Sequence, residues 1–296
     1  MVKTNIIIFC YNRPVHIKKL LNEIKKIKKR KIYLISDGPK NNKDNIKVKL
    51  VRKEIKKFKP GFFKIKILKK NLGVRNIFEL GLNWVFKYEK KIIILEDDII
   101  PSKSFFKFCD SMLNKYKKNK NISQIAGCNV KDNISKNLKG DYFLSKYSNI
   151  WGWATWKDRW FDYDNKFKDL KFLMESKKFK GSCFAISEYN FWKKYFKIHQ
   201  QNRNIGTWDY AWTYTNFLKN RFSIVSKTNL IENIGLNQGT GKNPKKLKKL
   251  KKKEMFGKIV HPKILKINMK YDLYSSQNIY SIPKLFWRIK NKLSFF

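Results

Sequence analysis

The chain has 296 residues and 35.6 kDa, with 42% hydrophobic and 16% aromatic residues. That excludes a disordered or fibrous protein and provides for a substantial core in one large or two modest domains. Its 68 Lys and Arg against 22 Asp and Glu give +46, which raises nucleic acid or an anionic membrane as partner. Only eight of these cations are arginines and the lysines run along the whole chain, so compositional drift is the competing explanation and nucleic acid is not expected as a specific partner.

Taken in chain order, the first third alternates short β-branched runs with amphipathic stretches, as βαβ units do. Ile6 to Cys10 reads as a buried strand. Pro14 opens a helix whose apolar positions Val15, Ile17, Leu20, Leu21, Ile24 and Ile27 recur at helical spacing. Lys31 to Ser36 is a second strand ending in the turn Asp37-Gly38-Pro39. A basic helix leads to a third strand around Phe63 to Leu68. Gly73 to Tyr88 is helical, and the strand Lys91 to Leu95 runs straight into Glu96-Asp97-Asp98. Ser102 to Tyr116 should be a helix and Ile122 to Val130 a strand. Past residue 140 the chain turns tryptophan-rich, and Asn237 to Lys253 reads as a mobile loop and a solvated basic segment. The pattern is an α/β fold with a mostly parallel sheet flanked by helices, its function collected at the carboxyl ends of the strands.

The cysteines Cys10, Cys109, Cys128 and Cys183 lack zinc-type spacing and sit among apolar neighbours, which fits a reducing cytoplasm. No secretory signal and no membrane span is expected.

Three adjacent acids at a strand end repel one another. In so basic a chain a divalent cation such as Mg2+ or Mn2+, suited to hard oxygen ligands, relieves this; neighbouring lysines are the alternative. Cys10-Tyr11-Asn12-Arg13-Pro14, Ser36-Asp37-Gly38, Asn71-Leu72-Gly73 and Glu96-Asp97-Asp98-Ile99 together resemble the donor half of GT-A glycosyltransferases, whose sheet is Rossmann-like. Among these they resemble the N-acetylglucosaminyltransferase I family and related bacterial enzymes. The likeness continues through Ile150-Trp151-Gly152-Trp153 and Gly206-Thr207-Trp208-Asp209 to Gly235-Leu236-Asn237-Gln238-Gly239. The resemblance implies a glycosyltransferase domain over 1–245, with a nucleotide-sugar half at 1–130, an acceptor half at 131–245 and a basic extension at 246–296.

It further implies that Arg13 and Asp37 contact the nucleotide, Asp37 through the uracil imide, and that Asp98 binds the metal on the donor diphosphate. Glu96 and Asp97 then face sugar and ribose, and Gly239 belongs to a loop closing over a UDP-sugar. Both Arg13 and Asp37 also read as turn residues. Arg75, just inside a helix start, reads either as a phosphate contact or as a surface residue. Asp209 corresponds to the base that deprotonates the acceptor hydroxyl with inversion, although the family carries two acids where this chain has Asp209-Tyr210. Its aromatic neighbours would raise its pKa; a helix cap is the other reading. The segment Trp151 to Trp156 is either core or a carbohydrate platform. His16, His199 and His261 look isolated, with His261 a candidate to complete the metal shell.

Residues 283–296 interleave Lys and Arg with Trp, Phe and Leu, as an anionic-membrane segment would, and a lipid-linked glycan acceptor would make peripheral attachment useful. Two rival functions stand beside glycosyl transfer: nucleic-acid binding, on charge alone, and a metal-dependent phosphohydrolase or nucleotidyltransferase, on the acid cluster alone.

Overall fold

A computed structural model describes residues 3–27, 29–58, 63–202, 207–238, 250–280 and 282. The elements run β1 (Ile6–Cys10), α1 (Pro14–Lys25), β2 (Ile32–Ser36), α2 (Asn42–Lys57), β3 (Phe63–Ile67), α3 (Gly73–Val85), β4 (Lys91–Glu96), β5 (Ile99–Pro101), α4 (Lys103–Lys115), β6 (Ile122–Ala126), β7 (Tyr142–Ser145) and β8 (Trp153–Trp156). Then come α5 (Lys157–Trp160), α6 (Leu170–Glu175), α7 (Lys177–Ser182), α8 (Ile186–Gln201), α9 (Trp208–Leu218), β9 (Phe222–Ser226), β10 (Ile231–Asn233), a 3-10 turn at Ile234–Gln238 and α10 (Met269–Asn278).

Eight strands form one sheet in the order β3-β2-β1-β4-β8-β6-β9-β7, and β5 pairs with β10 in a two-stranded ribbon. β1 lies parallel to β2 and β4, β2 parallel to β3, and β6 parallel to β9. β8 is the exception inside the sheet, antiparallel to both β4 and β6. The α/β architecture with a largely parallel sheet is as the sequence implies. The central strands are unbroken buried runs, as strands covered on both faces must be.

Strand alternation divides the core. Ile6, Ile8, Leu34, Ile93 and Leu95 share one cluster with α1, α2 and α4, while Ile7, Phe9, Tyr33, Ile92 and Ile94 share the other with α3 and α9. Helix starts follow local chemistry. Pro14 sits at the first position of α1, and Asn41 and Ser102 accept backbone N–H groups of α2 and α4. A third cluster joins α6 to α9 around Trp192 and Phe196.

Several boundaries shift. The expected strand Ile122 to Val130 ends at Ala126, because the Gly127 N–H turns to the Gly152 carbonyl, 2.9 Å away. Residues 250–253, expected in a solvated segment, are pinned: the Lys253 N–H donates to the Asn229 carbonyl and Asn229 Nδ2 to that of Lys251. Glu254 caps α4 through the N–H groups of Lys103 and Ser104, 2.9 Å each. Among the described residues no helix is long and apolar enough to cross a membrane.

Candidate active site

Parallel pairing places Cys10 beside Ser36 and Phe9 beside Glu96, so the segments that leave β1, β2 and β4 emerge from one edge of the sheet. There Arg13 Nη1 lies 2.7 Å from Asp98 Oδ2 and 3.5 Å from Asp97 Oδ1. The Tyr11 N–H donates to Asp97 Oδ2 at 3.3 Å. Asp97 is buried, and desolvation together with the Asp98 charge pushes its carboxyl up to about 7 against the pull of Arg13. Glu96 is raised well above the usual carboxylate range by burial, then by Asp98 and Asp97, and it also feels Asp209.

The ribbon of β5 and β10 brings a second segment over these acids. The Ile234 N–H donates to the Asp98 carbonyl at 2.9 Å, and a Cβ on Gly235 would collide with Asp98 Oδ2. Glycine is required there by close approach alone.

Asp37 is placed at the same edge but is not free to meet a base directly. Its Oδ1 accepts the N–H groups of Gly38 and Leu72, and its Oδ2 accepts Asn71 Nδ2 and the Gly73 N–H, all within 3.2 Å. Four donors fill the sites a carboxylate offers. Burial raises its pKa and these backbone donors oppose the rise.

Arg75 is not at the surface. It is buried, and its Nη2 donates to the Asn165 carbonyl at 2.6 Å. The surface reading is therefore corrected: Arg75 ties α3 to the second half of the chain. His261 is likewise corrected as a candidate for the metal shell, because it pairs through Nδ1 with the Tyr142 hydroxyl at 2.8 Å on β7, which stands four strands, roughly 19 Å, from β4 in the sheet. Gly239 and the 283–296 segment lie outside the described residues.

Asp209 stands on the first turn of α9, and no side-chain cap hydrogen bond closes that helix. Its Oδ1 is sealed from solvent without a hydrogen-bond partner among the described residues. Desolvation pushes the carboxyl up to about 6, with its own N–H and that of Tyr210 opposing. Tyr163, whose hydroxyl donates to the Trp208 carbonyl at 3.3 Å, and the partly buried Tyr280 both feel the Asp209 charge. An aromatic column fixes this helix start: Phe9 on Phe78 at 4.0 Å, Phe78 on Trp208 at 4.5 Å, Trp208 on Trp153 at 5.3 Å. Trp153 and Trp156 are thus core, and only Trp151 in that segment is half-buried.

The sequence alone assigns no role at this site to two residues, one of which, His16, looks isolated there. His16, buried next to Arg13 and Asp98, is hydrogen-bonded to the backbone of Ile234; its position one helical turn after Arg13 was the available signal. Asp44 accepts the Tyr11 hydroxyl and, at 2.8 Å, Asn12 Nδ2, so it holds the segment that carries Arg13. Asn41 followed by Asp44 at a helix start hinted only at capping.

Among the described residues no three His, Cys, Asp or Glu side chains form a metal cage. The site nevertheless fits a hard dication. Asp97 and Asp98 offer oxygen ligands with Arg13 as the ion-paired cation, and Mg2+-type ions are held by one or two carboxylates plus substrate phosphates.

No family model and no curated protein matches this chain. Among solved structures it is similar to a mannosyltransferase from Pyrobaculum calidifontis in complex with GDP-Man and Mn2+, at 9% identity over 74% of this chain and 70% of that one, TM-score 0.41. It is similar to mouse xyloside xylosyltransferase 1, apo form, at 9% over 73% and 81%, TM-score 0.33. A third is the UTP-bound UGPase from Acinetobacter baumannii, at 8% over 75% and 86%, TM-score 0.33. The strand order and register above, rather than these low scores, carry the fold.

Proposed function

We propose that this chain is a metal-dependent, inverting glycosyltransferase that moves a hexosyl or N-acetylhexosaminyl group from a nucleoside diphosphate, expected to be UDP, to a glycan or lipid-linked glycan. One observation carries the reading: Phe9, the register partner of Glu96, stacks on Phe78 and Phe78 on Trp208, the residue before Asp209, so α9 starts against the strand that ends in the acid cluster. A group suited to take a proton and carboxylates suited to hold a dication thus meet at one end of the sheet.

In this reading Asp98, with Asp97, would hold the cation. When bound, Mn2+ or Mg2+ supplies the positive charge that a departing nucleoside diphosphate needs. Arg13 adds a fixed guanidinium at the same place. Asp37 orders the turn Asn71-Leu72-Gly73, whose backbone then meets the nucleobase. Asp209 takes the proton of the acceptor hydroxyl, and its raised pKa suits that task at neutral pH. A single displacement opposite the leaving group inverts the anomeric carbon.

The test is incubation with a panel of nucleotide-sugars and Mn2+, following products by NMR. Release of nucleoside diphosphate with an inverted anomeric product supports the reading. Release of phosphate or pyrophosphate, or a retained configuration, overturns it.

A further inference from the structure

Two helices on one face of the sheet are dense in positive charge. α1 and α2, on one face, carry nine lysines and one arginine against Glu23, Asp44 and Glu54. α3 and α9, on the other, carry no lysine, with Arg75 against Glu79 and Asp209. The few acids on the basic face are engaged: Glu23 pairs with Lys26 at 2.9 Å, Glu54 with Lys57 at 2.7 Å, and Asp44 accepts from Tyr11 and Asn12.

α2 also carries apolar residues on the wrong side for a core. Val48, Val51 and Ile55 are buried, whereas Ile46 and Leu50, one turn apart on the opposite face, are 66% and 46% exposed. Lys43, Lys47 and Lys53 stand exposed around them. Between α1 and α2 runs a groove of about 290 Å3 lined by Lys18, Lys25 and Lys57, with Asn22 and the Lys57-paired Glu54.

We propose that the outward face of α2, with the lysines of α1 beside it, docks on an anionic membrane surface: Ile46 and Leu50 enter the headgroup boundary, and the groove receives a lipid phosphate. Paired lysine charge and aliphatic side chains are what such a surface rewards. A second copy of the chain is disfavoured, since two +46 chains repel each other. Nucleic acid would use the charge but gains nothing from exposed Ile and Leu, and it is better read by arginine than by lysine. The inference stands apart from the proposed chemistry.

The experiment is flotation of the full-length protein with phosphatidylcholine vesicles, with and without about one third phosphatidylglycerol, at several salt concentrations. Three double variants are compared after circular dichroism has verified their folding: Ile46→Gln with Leu50→Gln, Lys47→Gln with Lys53→Gln, and, as control, Lys177→Gln with Lys178→Gln on the distant α7. Binding is expected only with the anionic lipid. It should weaken about tenfold in each of the first two variants and change less than about twofold in the control. Equal losses in all three would overturn the proposal, since any lysines would then serve, and so would unchanged binding of the Ile46/Leu50 variant. Tighter binding to duplex DNA than to vesicles at equal salt, indifferent to Ile46 and Leu50, would give the face to nucleic acid instead.

Discussion

The chain holds two carboxylate centres at one end of its sheet, and they are built in opposite ways. At Glu96-Asp97-Asp98 three acids crowd together and Arg13 is ion-paired to two of them, so the pKa of Asp97 is set by burial and by its own neighbours. At Asp209 one acid stands among aromatic rings, and burial alone raises it, opposed only by backbone N–H groups. In the proposed mechanism the first arrangement would store negative charge for a cation to relieve in the ground state. The second would keep a single proton site ready, which matters only when a hydroxyl is losing its proton.

The sharpest way to break this contrast is to neutralise each centre in turn. Asp209→Asn should lower transfer by about 10²- to 10⁴-fold while leaving Mn2+-dependent UDP binding nearly intact by calorimetry. Asp98→Asn should instead weaken that binding. Near-normal transfer in Asp209→Asn would return the residue to a structural role.

Titration probes the same difference with a smaller effect. With Asp209 as base, turnover should fall about tenfold per pH unit below about 6 and level off above it. Stability moves the other way. Asp97 and Asp209 have folded-state pKa values raised to about 7 and about 6, so their contribution is fully present below the ordinary range near 3.8 and is lost as pH rises through those values. The melting temperature of metal-free protein should therefore fall between pH 5 and pH 8, and Mn2+ should flatten that fall. A melting temperature that climbs over this window would contradict both assignments.

Gly235→Ala forces Asp98 or the overlying backbone to move, at about 1–3 kcal/mol. Chemical denaturation should register that loss, with a weaker Mn2+ affinity beside it. The gentlest test is Arg13→Gln, which removes the ion-paired cation of the cluster. Mn2+ should raise the melting temperature of this variant more than that of the wild type; an equal rise would mean that the acids are not waiting for positive charge.

Much of the first half could be read in advance, because buried parallel strands are unbroken apolar runs and their helices keep a clear 3.6-residue stripe. The acid cluster was legible for the same reason, since Glu96 follows such a run directly. The second half resisted reading. Trp153 to Trp156 is an inner strand, but its tryptophans announce bulk rather than direction. Long-range partners leave no local trace: Glu254 caps a helix 150 residues earlier, and the buried Asp272 accepts the Ser145 hydroxyl and the Lys146 N–H. Asp37 shows the limit of a motif, which located the residue but not the four donors that occupy it.

The place of β8 between β4 and β6 also bears on how the chain is made. During synthesis β4 emerges with its Ile92–Leu95 edge uncovered, and its partner Trp153–Trp156 arrives only after α4, β6 and β7 have been built. Until then the nascent sheet ends in an apolar edge able to pair with any other extended chain. A chaperone that covers this edge until residue 156 has emerged would protect the nascent chain, whereas a pause ahead of residue 153 would lengthen its exposure.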